Sequence, residues 1–286
     1  MKNLSPQSRG ILLYMLAILS MSVMDLLAKR VSGEVHVIQA VWARYAGQTL
    51  LVTLLVLPRI RRVAKTRYPG LQFLRSVFLL GGTTAFFFGI SHLGLAEATA
   101  IMDINPMLIT LGAALFLGEK FGIRRAAGVT AALIGALIVI RPGSDVFSPA
   151  ALFPFVAAFC YATFVLITRR VGRDEDVWTS LFYTAIFGAV LLSAVVPFVW
   201  STPTVPVMLM MGAIALAGAL GQLLMIRALS EAEASAVAPF SYIGLLFAAI
   251  WGVLFFAEYP DVYTYVGGAI IVLAGLYVWH RERQSP

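Results

Sequence analysis

Ten stretches of this chain are apolar almost without a break, each close to the roughly 20 residues a helix needs to cross the hydrocarbon core of a bilayer. They run Gly10–Ala28, His36–Leu57, Leu71–Ser91, Ala96–Leu117, Ile123–Ile140, Ser148–Thr168, Val177–Val199, Val205–Ile226, Ala234–Phe256 and Val262–Trp279. The breaks between them are short and polar or contain Gly and Pro, as at Arg141-Pro142-Gly143. Ser148-Pro149 opens the sixth stretch with a capping hydroxyl and a proline suited to the first helical position. The runs are solid, without the in-and-out alternation of a β-barrel strand. Backbone polar groups in lipid must be satisfied within the segment, so the expected fold class is all-α integral membrane. Composition agrees: 60% of the 286 residues are hydrophobic and 12% are charged. That is too much apolar surface for one water-soluble core.

Lysine and arginine set the expected orientation. With the N-terminus on the cytoplasmic side, the inner segments hold 17 of the 21 basic residues, Arg75 counted among them. The outer segments hold only Lys29, Arg30 and Arg141, and Arg44 lies within a span. Both termini are therefore expected in the cytoplasm of a bacterial-type inner membrane. Trp178, Trp200 and Trp279 fall at span ends, where amphipathic rings prefer to sit. The first run, from Ile11 to Leu27, is too long for a signal-peptide core and reads as a retained first helix. The net charge of +7 is topology information, since no basic face or groove-reading element suits nucleic acid. One cysteine, Cys160, and three scattered histidines give no disulfide and no metal-ligand spacing, and no cofactor is expected.

The chain also says nearly the same thing twice. Lys29-Arg30-Val31 recurs as Arg169-Arg170-Val171, 140 residues on. Ala96-Glu97-Ala98-Thr99-Ala100 recurs as Ala232-Glu233-Ala234-Ser235-Ala236, 136 residues on, and Glu119 recurs as Glu258, 139 residues on. Two repeats follow, residues 1–143 and 144–286. Each holds five spans, an odd number, so the second enters the membrane inverted relative to the first. Inverted repeats point to alternating access.

These residues resemble the drug/metabolite transporter superfamily, EamA family. The resemblance rests on Ala96–Ala100 with Leu117-Gly118-Glu119-Lys120, and on Ala232–Ala236 with Phe256-Ala257-Glu258. It covers about residues 10 to 280. The second repeat departs from the first at Tyr259-Pro260, where the first has Lys120-Phe121. The resemblance implies spans 1–4 and 6–9 around a central cavity, with spans 5 and 10 at the periphery. Spans 5 and 10 carry no ionisable residue in their apolar interiors and hold small residues instead, Gly128 and Gly135 against Gly267, Gly268 and Gly275. Small residues let helices approach closely in lipid.

Charges at membrane depth cost about 2.5–3.5 kcal/mol each on insertion scales and are usually functional. At about 1.5 Å per residue, Asp25 in span 1 lies about one turn below the outer edge. Arg44 in span 2 and Asp103 in span 4 lie about 10–12 Å down, near the midplane. One reading gives Arg44 a substrate anion and gives Asp25 or Asp103 a proton or cation. The other is a buried Asp25–Arg44 pair that only orients helices. Asn105-Pro106, just after Asp103, and Ala238-Pro239 in span 9 interrupt corresponding helices, the usual mark of a binding site. Gln39, Gln222 and Tyr242 complete the candidate substrate contacts. Tyr161 and Tyr183 read as packing residues that could also stack on a planar solute. Glu119 and Glu258 read as boundary anchors.

The expected function is a secondary transporter of a small polar metabolite, proton-coupled or exchanging, and not an enzyme. Amino acids, nucleosides or vitamins such as riboflavin fit a cavity of mixed charge. Expected partners are that solute and membrane lipid, with monomer and homodimer both open. No Walker-type phosphate loop occurs. The alternative is an integral membrane enzyme acting on lipid, against which the scattered histidines argue.

Overall fold

The computed structural model describes residues 6–117, 123–141, 148–172 and 174–283. Glu119 and the boundary between residues 143 and 144 lie outside them, as does the Trp279 side chain. Among the described residues the chain is helical, with no strand.

Among the described residues, seven helices are long and apolar enough to cross a bilayer: Pro6–Ser32, Val37–Val63, Pro69–His92, Leu95–Phe116, Pro149–Val171, Val177–Val199 and Val205–Glu231. Two shorter apolar helices, Phe240–Phe256 and Val262–Ala274, lie where spans 9 and 10 were expected. A belt of large apolar side chains faces outward, with Phe116 79% and Phe198 88% exposed. A soluble protein would hide such residues; a bilayer solvates them.

The helices are α1 Pro6–Ser32, α2 Val37–Val56, α3 Ile60–Val63, α4 Pro69–His92, α5 Leu95–Met102, α6 Asn105–Leu117 and α7 Ile123–Ile140. After them come α8 Leu152–Val171, α9 Val177–Val195, α10 Val205–Glu231, α11 Ala234–Val237, α12 Ile243–Phe256 and α13 Val262–Arg283. Several starts are capped from within the sequence. Ser148 Oγ accepts from Ala150 N at 3.2 Å, so the Ser-Pro start is realised as a 3-10 turn, Pro149–Ala151. Asp176 caps α9 through Trp178 N at 2.9 Å.

The two interruptions have one cause. Pro106 has no N–H to give the carbonyl of Met102, so α5 stops there, Asp103 leaves the helix, and α6 restarts at Asn105. Pro239 does the same to Ser235, and the chain passes through a 3-10 segment, Ala238–Tyr242, before α12.

The most extensive pairings are α1 with α10, α4 with α8, α7 with α13, and α2 with α9. Small residues set several of these. A Cβ at Gly221 of α10 would fall 2.8 Å from Met21 Cγ on α1, and one at Gly82 of α4 would fall 3.2 Å from Cys160 Cβ on α8. On the α7–α13 seam a Cβ at Gly267 would lie 2.5 Å from the Gly135 carbonyl oxygen, and one at Gly135 would lie 2.7 Å from that of Gly267. Of the expected small residues of spans 5 and 10, Gly135 and Gly267 thus meet each other, whereas Gly268 faces Leu245 of α12.

The start of α1 and the end of α10 share one face of the bundle, joined by Arg9 and Glu231 at 2.5 Å. We call this the near face. The far face holds the end of α1, the end of α12 and the start of α13. There Arg141, at the end of α7, pairs with Asp261 just before α13. Arg75 departs from the sequence expectation. It lies within α4 and is fully buried, so it belongs to the interior and not to a surface segment.

The seam gives a direct test. Gly267→Val forces backbone against side chain, and overpacking of this kind costs about 1–3 kcal/mol. Its thermal unfolding midpoint in detergent is expected to fall well below that of Gly212→Val, where no atom lies within 4 Å of the added Cβ.

Candidate functional site

A cavity of about 120 Å³ opens among α1, α2, α4, α5, α8 and the segment before α12. Asp25, Arg44, Asp103 and Asn105 all line it. The charges found far apart in the sequence therefore converge. So do the two helix breaks, since Asp103 and Asn105 flank one and Ser241 belongs to the other.

Each group is held by a local device. Arg44 is 2% exposed on α2. Its NH1 donates to Thr83 Oγ1 on α4, and its guanidinium carbon sits 5.0 Å from the Tyr45 ring centroid. Tyr45 Oη reaches the same Thr83 oxygen at 3.3 Å. Space for the arginine stem comes from Gly218 of α10, where a Cβ would lie 3.2 Å from Arg44 Cγ and 3.3 Å from its Nε. The Nε has no protein partner.

Asp25 faces the same cavity from α1, yet none of the ion pairs among the described residues joins it to Arg44. The closed pair that would merely orient helices is not the arrangement present. Asp103 and Asn105 are both buried, and Asp103 Oδ2 and Asn105 Oδ1 have no protein partner. Buried polar atoms of native proteins are rarely left without a hydrogen bond, so these three sites on Arg44, Asp103 and Asn105 call for water or a ligand. Much of the rest of the lining is apolar, with Met21, Met24, Met102, Phe86, Phe87 and Tyr161 among it. Such a wall is apolar, polarisable and adaptable in shape.

The other candidates sit elsewhere. Gln39 is fully buried near the far face, where its amide donates to Ser201 O at 2.9 Å and accepts from Ser201 N at 3.0 Å. It fastens α2 to the segment before α10 and does not line the cavity. Gln222 and Tyr242 are buried beside the cavity, outside its lining, and their polar side-chain atoms have no protein partner. Tyr161 lines the cavity, whereas Tyr183 Oη donates to Ala64 O at 2.8 Å near the surface. Thr83 and Thr99 also line the cavity, neighbours that composition alone did not single out. Thr99 lies one turn before Asp103, the one available signal.

A charged tie lies on the far-face side of the cavity, joined to its lining through Leu95. Lys29, at the end of α1, pairs with Glu258 Oε1 at 2.7 Å and donates to the carbonyls of Ile90 at 2.9 Å and Leu93 at 2.6 Å. Glu258 Oε2 accepts from Leu95 N, the first residue of α5 and part of the cavity lining, at 2.9 Å. The anchor role expected of Glu258 is what these contacts describe. Lys29→Ala leaves two carbonyls and a half-buried carboxylate unpaired, a loss of about 1–3 kcal/mol. Thermal unfolding is expected to shift down by several degrees, with Lys29→Arg closer to wild type.

Comparison with known proteins adds a family. The model of the EamA-like transporter family matches residues 8–141 and again residues 148–279. A pseudopaline exporter of Pseudomonas aeruginosa (strain UCBPP-PA14) is 34% identical over 274 residues, covering 93% of this chain and 94% of that protein. An S-adenosylmethionine uptake transporter of Rickettsia bellii is 27% identical over 282 residues, covering 99% and 97%. A riboflavin transporter of Rhizobium johnstonii is 32% identical over 242 residues, covering 82% and 79%. A solved crystal structure shares the fold, with a TM-score of 0.71 at 20% identity and coverage of 97% and 98%.

Proposed function

The chain belongs to the EamA-like transporter family. From that premise we propose that it carries a small polar metabolite across the bacterial inner membrane by alternating access. The observation that carries this reading is the central cavity, where Arg44 Nε, Asp103 Oδ2 and Asn105 Oδ1 lack protein partners at membrane depth. A donor and two acceptors left open in an otherwise apolar wall match a solute with both an anionic and a hydrogen-donating or cationic group. Arg44 takes the anion. Asp103 takes the donor, and either Asp103 or Asp25 takes the coupling proton where transport is coupled. The relatives' named cargoes are S-adenosylmethionine, pseudopaline and riboflavin, small metabolites of this polar kind.

The architecture behind this reading is ten spans in two inverted five-helix repeats, residues 1–143 and 144–286. Two sets of contacts support it. The pairing of α1 with α10 and that of α8 with α4 exchange when the halves are swapped. Lys29, ending span 1, donates to the last carbonyls of span 3, while Arg169, ending span 6, donates to Leu229 O of span 8 at 2.8 Å. The lysine and arginine count supports a cytoplasmic near face that carries both termini.

Uptake of radiolabelled S-adenosylmethionine, riboflavin, amino acids and nucleosides into proteoliposomes tests the reading. We expect one of these classes to accumulate with wild-type protein, and its rate to fall on the order of tenfold or more in Arg44→Ala and Asp103→Asn, since buried charge pairing is worth several kcal/mol. Normal membrane insertion of both variants is the control. Full activity in both would refute the assignment of the site.

A further inference from the structure

Arg75 is a guanidinium that the cavity does not use. It is fully buried in α4, about 9 Å in from the helix start at Pro69 at about 1.5 Å per residue. Its Nε donates to Thr168 Oγ1 at 2.7 Å, and its NH1 donates to Gln72 Oε1 at 3.0 Å and Ser180 O at 2.8 Å. Its face lies on Phe164, 5.0 Å from the ring centroid. The NH2 has no protein partner, and none of the ion pairs among the described residues includes Arg75.

A cation so deep with no carboxylate beside it is costly, and the bonds it makes do not require the charge. A neutral amide could donate to Thr168 and Ser180. Its position explains the charge better. Gln72, Arg75, Leu79, Gly82 and Phe86 follow one another at three- and four-residue steps along one face of α4. Leu79, Gly82 and Phe86 line the cavity, so Arg75 lies on the same stripe one turn below its floor. The facing stripe of α8 behaves alike. Tyr161 lines the cavity, Phe164 and Val165 lie below it, and Thr168 ends beside Arg75. Leu79, Phe164 and Val165 pack in one buried apolar cluster. They form a thin apolar plug with Arg44 and Thr83 above and Arg75 below. Thr83 and Arg75 are eight residues apart, about 12 Å along the helix.

We infer that Arg75 is a second anion-binding position on the near-face half of the transport route, receiving a carboxylate or phosphate group once the Leu79–Phe164–Val165 plug opens. This rests on the transport reading and gives the substrate's anion two successive arginines, one in the cavity and one on the way to the near face. In the closed arrangement Gln72, Thr168 and Ser180 hold the guanidinium ready.

Thiol chemistry at Thr168 tests this without knowledge of the substrate. In full-length protein in nanodiscs, with Cys160→Ala removing the native thiol, Thr168→Cys places a sulfur beside Arg75. It is treated with two methanethiosulfonates of opposite charge, the ethylsulfonate anion and the ethyltrimethylammonium cation. With each rate divided by that of the same reagent on a free thiol in solution, we expect the anion to react on the order of tenfold faster than the cation, as local fields of one sign concentrate counter-charged reagents. The ratio should fall to about one in Arg75→Gln and persist in Arg75→Lys. Because Arg75→Gln could fail to fold, a second measurement keeps Arg75 in place: millimolar inorganic phosphate should slow the anionic reagent severalfold and leave the cationic one unchanged. A thiol unreactive toward both reagents, a ratio near one with Arg75 present, a ratio that Arg75→Gln leaves unchanged, or no effect of phosphate overturns the inference. Any of these alongside uptake that needs Arg44 sinks this inference alone. A preserved anion preference with no uptake of any metabolite sinks the transport reading instead.

Discussion

In a lipid solvent each backbone amide must find its partner inside the chain, and the rest of this structure depends on that demand. It makes every long apolar run a helix. It also makes a helix break expensive anywhere but at a protein-lined space. The two breaks here, after Met102 and at Ala238–Tyr242, come from prolines that remove a donor, and both open toward the same cavity. The freed backbone, the Asp103 and Asn105 side chains and Arg44 from α2 then share one small polar volume in an otherwise apolar bundle. Backbone chemistry positions the site, and side-chain chemistry furnishes it.

The charges inside that volume are supported unequally. Arg44 has Thr83, the face of Tyr45 and the gap left by Gly218. Asp103 and Asn105 keep oxygens that nothing in the protein answers. A fully paired network would rigidify the core, whereas an incompletely paired one leaves capacity for a guest. Arg75 shows the same incompleteness deeper in the bundle, among neutral partners only. Two arginines that no ion pair among the described residues ties to a carboxylate, on two sides of one apolar plug, read more naturally as stations than as struts.

Much of this was legible in the sequence because the depth of a residue in a span follows from counting. Asp25, Arg44, Asp103 and Asn105 stand out as polar groups deep in apolar runs, and all four line the cavity. Counting does not give azimuth, the side of the helix on which a residue falls. By count Gln39 lies no shallower than Asp25, yet it faces the segment before α10 and is spent on Ser201. Gln222 and Tyr242 are buried a step away from the lining. Arg75 was hidden for a different reason. It stands near the start of its span, close to a cluster of surface arginines, and only packing by α8 and α9 reveals it as interior. The weak hydrophobic periodicity of helices wetted by lipid on one side and protein on the other removes the signal that would have fixed azimuth.

The tie at the end of α1 has a consequence of its own. One ammonium serves three acceptors drawn from two separate segments, the last turn of α4 and the residues after α12, while the same carboxylate also anchors the first amide of α5. Small excursions of any one segment leave the others in place and return it. Parting them fully requires all of those bonds to be exchanged for water together. That corner of the molecule therefore resists gradual breathing and yields in a single cooperative step.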